Sequence, residues 1–303
     1  MAFRRTLKRH VGCTGIGLHS GKPVRLALKP ALADQGLRFR RTDVGVEIPA
    51  SLAHLSRQDH ATTLSRDGVS IETVEHLLSA LYAMGVDDAT IEVDGPEIPI
   101  LDGSAAPFVI LIHEAGLKPL KALRQYLKVR KPLEVIQGSK SVRLSPSEHF
   151  EVSYTIGFDH PLLRHQAASA RISAESFAES LAPARTFGFL RDVETLRRNG
   201  LALGGSLENA VVIGESGVLN NTLRFEDEFV RHKMLDAIGD LALLGYPLLG
   251  HLEAVRAGHE LHAAVARKLL ANDEAWELVT RPRMTALDLP PASPTLALKP
   301  ARA

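Results

Sequence analysis

Two stretches, VEHLLSAL and VRHKMLDAI, limit the folds open to this chain more than any other feature. Each places a histidine two residues after a valine inside a run of helical period, and the two histidines, His76 and His232, stand about half of the 303-residue chain apart. Around the first, Ile71, Val74, Leu77, Leu78, Leu81 and Met84 recur at helical spacing with Gly85 placed as a stop, so an amphipathic helix is expected from just after Ser70. Around the second, Met234, Leu235, Ile238, Leu241, Leu243 and Leu244 wrap much of the helix circumference. A solvated stripe then has little room, and the polar residues between them should be partly buried and paired. A duplicated unit of strands plus helices would account for the recurrence, and two such helices facing each other would bring their histidines together.

The rest of the chain fits that outline. VRLALKP (Val24 to Pro30), GLRFRRTD (Gly36 to Asp43), VEIPASL (Val46 to Leu52) and ATIEVDG read as short strands ended by Gly, Pro or Asp. SAAPFVILIHEAGL reads as a second helix entered near Ser104 with Pro107 in its first turn. The basic stretch from Lys118 to Pro132, bounded by prolines, is the candidate linker. The division is then 1–122, a linker at 123–132, a second domain at 133–285 with an insertion near 177–218, and a tail at 286–303. Beyond the linker SVRLSP and FEVSYTIGF read as strands ahead of the insertion and the His232 helix. The tail, Pro- and Ala-rich and without periodicity, is expected to be disordered and dispensable for catalysis, with a processing protease as a partner it could serve.

His232 and Asp236 lie four residues apart, one above the other on a helix face, with Asp240 a turn further on. This is metal-ligand spacing, although a single such pair also fits an ordinary ion pair on a solvated face. Glu75 beside His76 could take a proton from metal-bound water, as a zincin glutamate does, but H-E-x-x-H is absent and Glu72 stands where an inverted motif needs histidine. GIGLHSG is followed by a strand-like segment without a Lys-Ser/Thr pair, so a glycine-rich hairpin turn is expected there rather than a phosphate loop. No G-x-S-x-G occurs, which disfavours a serine nucleophile. His259, in RAGHELH, stands isolated and alone would pass as a surface residue.

Composition removes other classes. A net charge of +1 supplies no field for a polyanion, so nucleic acid is not an expected partner. Cys13 is the single cysteine, which excludes an internal disulfide or a multi-cysteine zinc knot and suits a reducing compartment. The longest apolar stretch, Ala237 to Val255, is interrupted by Asp240, Pro247, His251 and Glu253, so no integral membrane segment is expected. With no apolar run after the basic N-terminal residues, the cytoplasm is the expected location.

TVEHLLSALYAMGVDDATIEV, EIPILDGSAAPFV, ARTFGFLRD, LALGGSLENAVVI, RFEDEFVRHKMLDAIGDLALLG and AGHELH, in that order, resemble the UDP-3-O-acyl-N-acetylglucosamine deacetylases, the zinc amidases of the committed step of lipid A synthesis in Gram-negative bacteria. The resemblance runs from about Arg5 to Val279. It implies a two-domain α+β fold, each domain a β-sheet with helices on one face, the helical layers packed together between the two sheets. It further implies one catalytic Zn2+ held by His76, His232 and Asp236, with Glu75 as general base, His259 as general acid and Asp240 orienting His259. By the same resemblance Thr186 helps hold the oxyanion and Lys233 contacts the substrate's polar head. Phe187 stands at the mouth of an apolar passage for the acyl chain formed by about 177–218, where Gly204 and Gly205 would let lipid approach the backbone. Leu18, His19 and His60 match positions near the site. The implied partner is UDP-3-O-acyl-N-acetylglucosamine, and a monomer is expected. Two other readings stay open at this stage: another zinc amidase or peptidase with the same ligands, and a non-catalytic metal-binding protein.

Overall fold

The computed structural model describes residues 2–219 and 222–280. The expected strands form because their apolar residues alternate: in Pro23–Pro30 the side chains of Val24, Leu26 and Leu28 are buried while Arg25 is exposed, and Phe150–Ile156 alternates in the same way. The first sheet runs in the order Val11–Ile16, Pro23–Pro30, Ala89–Val93, Leu37–Arg41, Val46–Pro49, with one parallel pairing, between Leu37–Arg41 and Ala89–Val93. The glycine-rich GLHSG segment is the turn of the antiparallel hairpin between Val11–Ile16 and Pro23–Pro30, as expected. In the second sheet Leu248–Val255 is central. Lys140–Ser145 pairs with it antiparallel, and Phe150–Ile156 and Gln125–Val129 pair with it in parallel.

Six α-helices occur among the described residues: α1 (Glu75–Ala83), α2 (Ala106–Ala115), α3 (Ala174–Ser180), α4 (Leu190–Arg198), α5 (Glu228–Leu241) and α6 (His259–Leu270). α1 packs on α2 and on α5, α2 reaches the first sheet at Val11–Ile16, and α5 and α6 lie on the second sheet. The result is the α+β arrangement of helical layers meeting between sheets. α1 and α5 are buried nearly all round, which is why their leucines do not form a single stripe. Gly239 sets the crossing: a Cβ there would lie 2.1 Å from the Glu75 carbonyl oxygen, so the two backbones touch where the functional residues sit.

Several expectations need correction. Helix α1 begins at Glu75, not just after Ser70, because Val69–Ile71 pairs with Leu64–Arg66 and Thr73 sits at φ 59°, outside the helical region. Its end at Gly85, φ 73°, is as expected. The proposed linker is built from strands: Leu117–Leu123 pairs with Phe3–Leu7, and Gln125–Val129 enters the second sheet, leaving Arg124 as the only residue between them. Partners more than a hundred residues away hold this segment, so its basic composition did not reveal its structure. The tail expected to be disordered lies outside the described residues.

Candidate active site

α1 and α5 present His76, His232 and Asp236 to one another, all buried. Asp236 Oδ1 lies 3.3 Å from His232 Nε2 and 3.6 Å from His76 Nε2, and the two imidazole rings meet edge to face at 4.9 Å. His232 Nδ1–H donates to the Ala184 carbonyl at 3.0 Å, which turns its Nε2 lone pair towards the cluster. Burial pushes this imidazole down to about 4, so it is neutral, as a metal ligand must be. Asp236 Oδ2 accepts from Lys233 Nζ at 2.6 Å, whereas Oδ1 is buried without a hydrogen-bond partner among the described residues. An orphaned carboxylate oxygen between two imidazole nitrogens is costly unless a cation takes its place in the arrangement. Two neutral nitrogens and one carboxylate are the donor set of a zinc site with an open position, so these residues fit such an ion.

The cluster stands at the floor of a cleft of about 980 Å³ whose lining includes Leu18, His19, His60, Glu75, Thr186, Phe187, Lys233 and His259. Sequence-predicted residues from both halves of the chain therefore converge on one place. Glu75 is buried, and its Oε2 accepts the Thr62 backbone N–H at 3.0 Å. Burial raises its carboxyl above the usual carboxylate range, offset in part by His259 and His76. His259 opens α6, with its Nδ1–H donating to Asp240 Oδ2 at 2.8 Å. Burial pushes its imidazole down, but the Asp240 carboxylate outweighs this and carries it up to about 9. Far from being an isolated surface residue, His259 is buried at the junction of α5 and α6.

Phe187 packs on Phe229 and on the His232 ring, with centroids 5.0 and 6.3 Å away. Thr186 donates its backbone N–H to the Gly103 carbonyl and is one of the residues lining the cleft. His19 is held by a bond from the Ala202 N–H to its Nδ1 at 3.3 Å, and its Nε2 is buried without a partner among the described residues. Lys233 borders the cleft with its ammonium on Asp236 Oδ2. One expectation shifts. Gly204 closes on backbone, since a Cβ there would lie 2.2 Å from the Gly17 carbonyl, and neither it nor Gly205 lines the cleft.

Sequence reasoning missed Thr62, Tyr154 and His262. Thr62 Oγ1–H donates to Asp240 Oδ1 at 2.5 Å, and His262 Nδ1–H donates to Asp240 Oδ2 at 2.8 Å. The signal for His262 was present in HELH, where the second histidine follows a helical turn after the first. Thr62 and Tyr154 carried none.

The family model for UDP-3-O-acyl N-acetylglycosamine deacetylase matches residues 4–271. The chain is 51% identical to the UDP-3-O-acyl-N-acetylglucosamine deacetylase of Anaeromyxobacter dehalogenans (strain 2CP-C), covering 91% of this chain and 90% of the relative. It is 49% identical to the protein of that name from Pseudomonas entomophila (strain L48), over 92% and 94% of the two chains. The Syntrophotalea carbinolica protein is 48% identical over 92% and 91%. With the match running through both halves of the metal-ligand cluster and the cleft above it, the chain belongs to the UDP-3-O-acyl-N-acetylglucosamine deacetylase family.

Proposed function

We propose that this protein hydrolyses the N-acetyl group of UDP-3-O-acyl-N-acetylglucosamine, releasing acetate and the free glucosamine amine, with one zinc ion held by His76, His232 and Asp236. The observation that carries the reading is the orphaned Asp236 Oδ1, set between two imidazole nitrogens at the floor of a cleft. Bound there, zinc would supply Lewis-acid polarisation of the amide carbonyl and make water easier to deprotonate. The cleft favours this over a closed structural site, which would want a fourth protein ligand.

The chain's own residues supply the proton transfers. Glu75, raised by burial, takes a proton from the attacking water as its oxygen bonds to the acetyl carbon. Thr186, a residue of the cleft lining, would donate from Oγ1 to the developing oxyanion. When the carbon–nitrogen bond breaks, the departing amine needs a proton, and His259 is cationic at neutral pH and can give one from Nε2 while Asp240 holds Nδ1. Burial would raise the Asp236 carboxyl, but the neighbouring His232 and then Lys233, whose ammonium sits on Oδ2, hold it well below the usual carboxylate range, so it is ionised and ligand-ready. The 3-O-acyl chain would lie along the insertion, with Phe187 fixing its entrance beside His232.

The test is zinc content and acetate release, measured together. His232→Ala should lose both. A variant that retained full zinc stoichiometry would overturn the ligand assignment, and a zinc-loaded wild-type protein that released no acetate from this substrate would overturn the activity.

A further inference from the structure

α6 carries a second histidine that none of the chemistry above uses. His262 is wholly buried one helical turn beyond His259, and its Nδ1 lies 2.8 Å from Asp240 Oδ2, the same oxygen that His259 Nδ1 reaches at 2.8 Å. Thr62 Oγ1 occupies Oδ1 at 2.5 Å. On its other side, His262 Nε2 is 3.0 Å from the Tyr154 hydroxyl, which is also 2.9 Å from the Ala257 carbonyl.

An ionised carboxylate only accepts, so both Nδ1 atoms facing Oδ2 must carry hydrogen. The charged groups around the two imidazoles are Asp240, Lys233 and Asp236 on α5 and Glu75 on α1. On the far side of the His262 ring the Tyr154 hydroxyl, which gives its one hydrogen to the Ala257 carbonyl, closes on Nε2 and holds the ring in place.

We propose that His262 is a positioning residue: held between Tyr154 and Asp240, it donates from Nδ1 to Asp240 Oδ2 and so sets both the orientation of the carboxylate and the share of it that His259 receives. The inference rests on the assignment of His259 as general acid. It makes a chain from Tyr154 through His262 and Asp240 to His259, in which Thr62 blocks rotation of the carboxylate from the opposite side. His262 is neither one of the proposed zinc ligands nor itself part of the cleft lining.

The experiment is the pH profile of kcat/KM for the zinc-loaded enzyme and three variants, with ring 15N spectra of the histidines in the wild type. His262→Leu removes one donor from Oδ2, so the undivided carboxylate should hold the His259 proton more tightly and move the alkaline limb up by about half a pH unit or more. Zinc content should be unchanged, and kcat should fall several-fold with KM little altered, as the imidazole is less firmly oriented. His262→Asn places an amide N–H near where Nδ1 lay and should return the limb to its wild-type position. Tyr154→Phe should produce a smaller upward shift. A His262→Leu limb coincident with wild type, or His262→Asn behaving as His262→Leu does, would reduce His262 to a packing residue. Should His262→Leu fail to fold, the spectra decide alone: hydrogen on His262 Nδ1 while His259 is cationic supports the assignment, and a bare Nδ1 overturns it. The same spectra titrate His259. An alkaline limb that does not follow that titration refutes the general acid, not the His262–Asp240 contact.

Discussion

Burial alone would leave His259 neutral at physiological pH, because a charged imidazole loses its hydration, yet the Asp240 carboxylate 2.8 Å away carries it up to about 9. The sign follows directly: an acid must be protonated, so kcat/KM should hold below pH 9 and fall above it. Asp240→Asn removes the opposing charge, and its alkaline limb should move to lower pH, so that the variant loses more activity at pH 8.5 than at pH 6.5. A limb that stayed in place would dissociate Asp240 from the acid. The same raised value predicts that the pair adds to stability below pH 6.5 and that this contribution fades as pH rises through about 9, readable in denaturant midpoints. Glu75 tests the other proton. Glu75→Ala leaves His76, His232 and Asp236 in place, so zinc should remain while turnover falls by about 10² or more.

Between elements, the contact of α1 with α5 fixes the distance across which His76 meets Asp236. Gly239→Ala would push a Cβ to within 2.1 Å of the Glu75 carbonyl, and we expect about 1–3 kcal/mol of lost stability together with weakened zinc binding. Gly217→Ala, where the added carbon meets nothing within 4 Å, is the control and should leave the urea midpoint nearly unchanged. What the sequence disclosed at this scale was periodicity: the alternation in Pro23–Pro30, the all-round apolar character of α5, and the His232–Asp236 spacing were local and therefore readable. The ligand set and catalytic roles came from the resemblance, since spacing alone left a solvated ion pair open. The strands at Leu117–Leu123 and Gln125–Val129 escaped because their hydrogen-bond partners lie far along the chain. The start of α1 escaped because the left-handed backbone of Thr73 leaves no mark in residue type. The pairing of the Lys233 ammonium with Asp236 Oδ2 was not readable, because nothing in the pattern RHKMLD says which carboxylate it takes.

Across the molecule, the proposed ligands come from positions 76, 232 and 236, on two helices from different halves of the chain, so a bound ion would tie those halves together. Chelation should therefore lower the thermal midpoint as well as abolish turnover: free zinc at a hundred times its Kd would stabilise the folded chain by about 2.7 kcal/mol. No helix among the described residues is long and apolar enough to cross a membrane. Under the proposed function the acyl chain of the substrate would be met by the insertion around Phe187 and the cleft it borders. The most direct test of the central claim is a titration of the metal-stripped protein with zinc while acetate release from UDP-3-O-acyl-N-acetylglucosamine is followed. Turnover should rise from near zero and saturate at one equivalent of zinc per chain; full turnover by the stripped protein, or none at any zinc level, would contradict it.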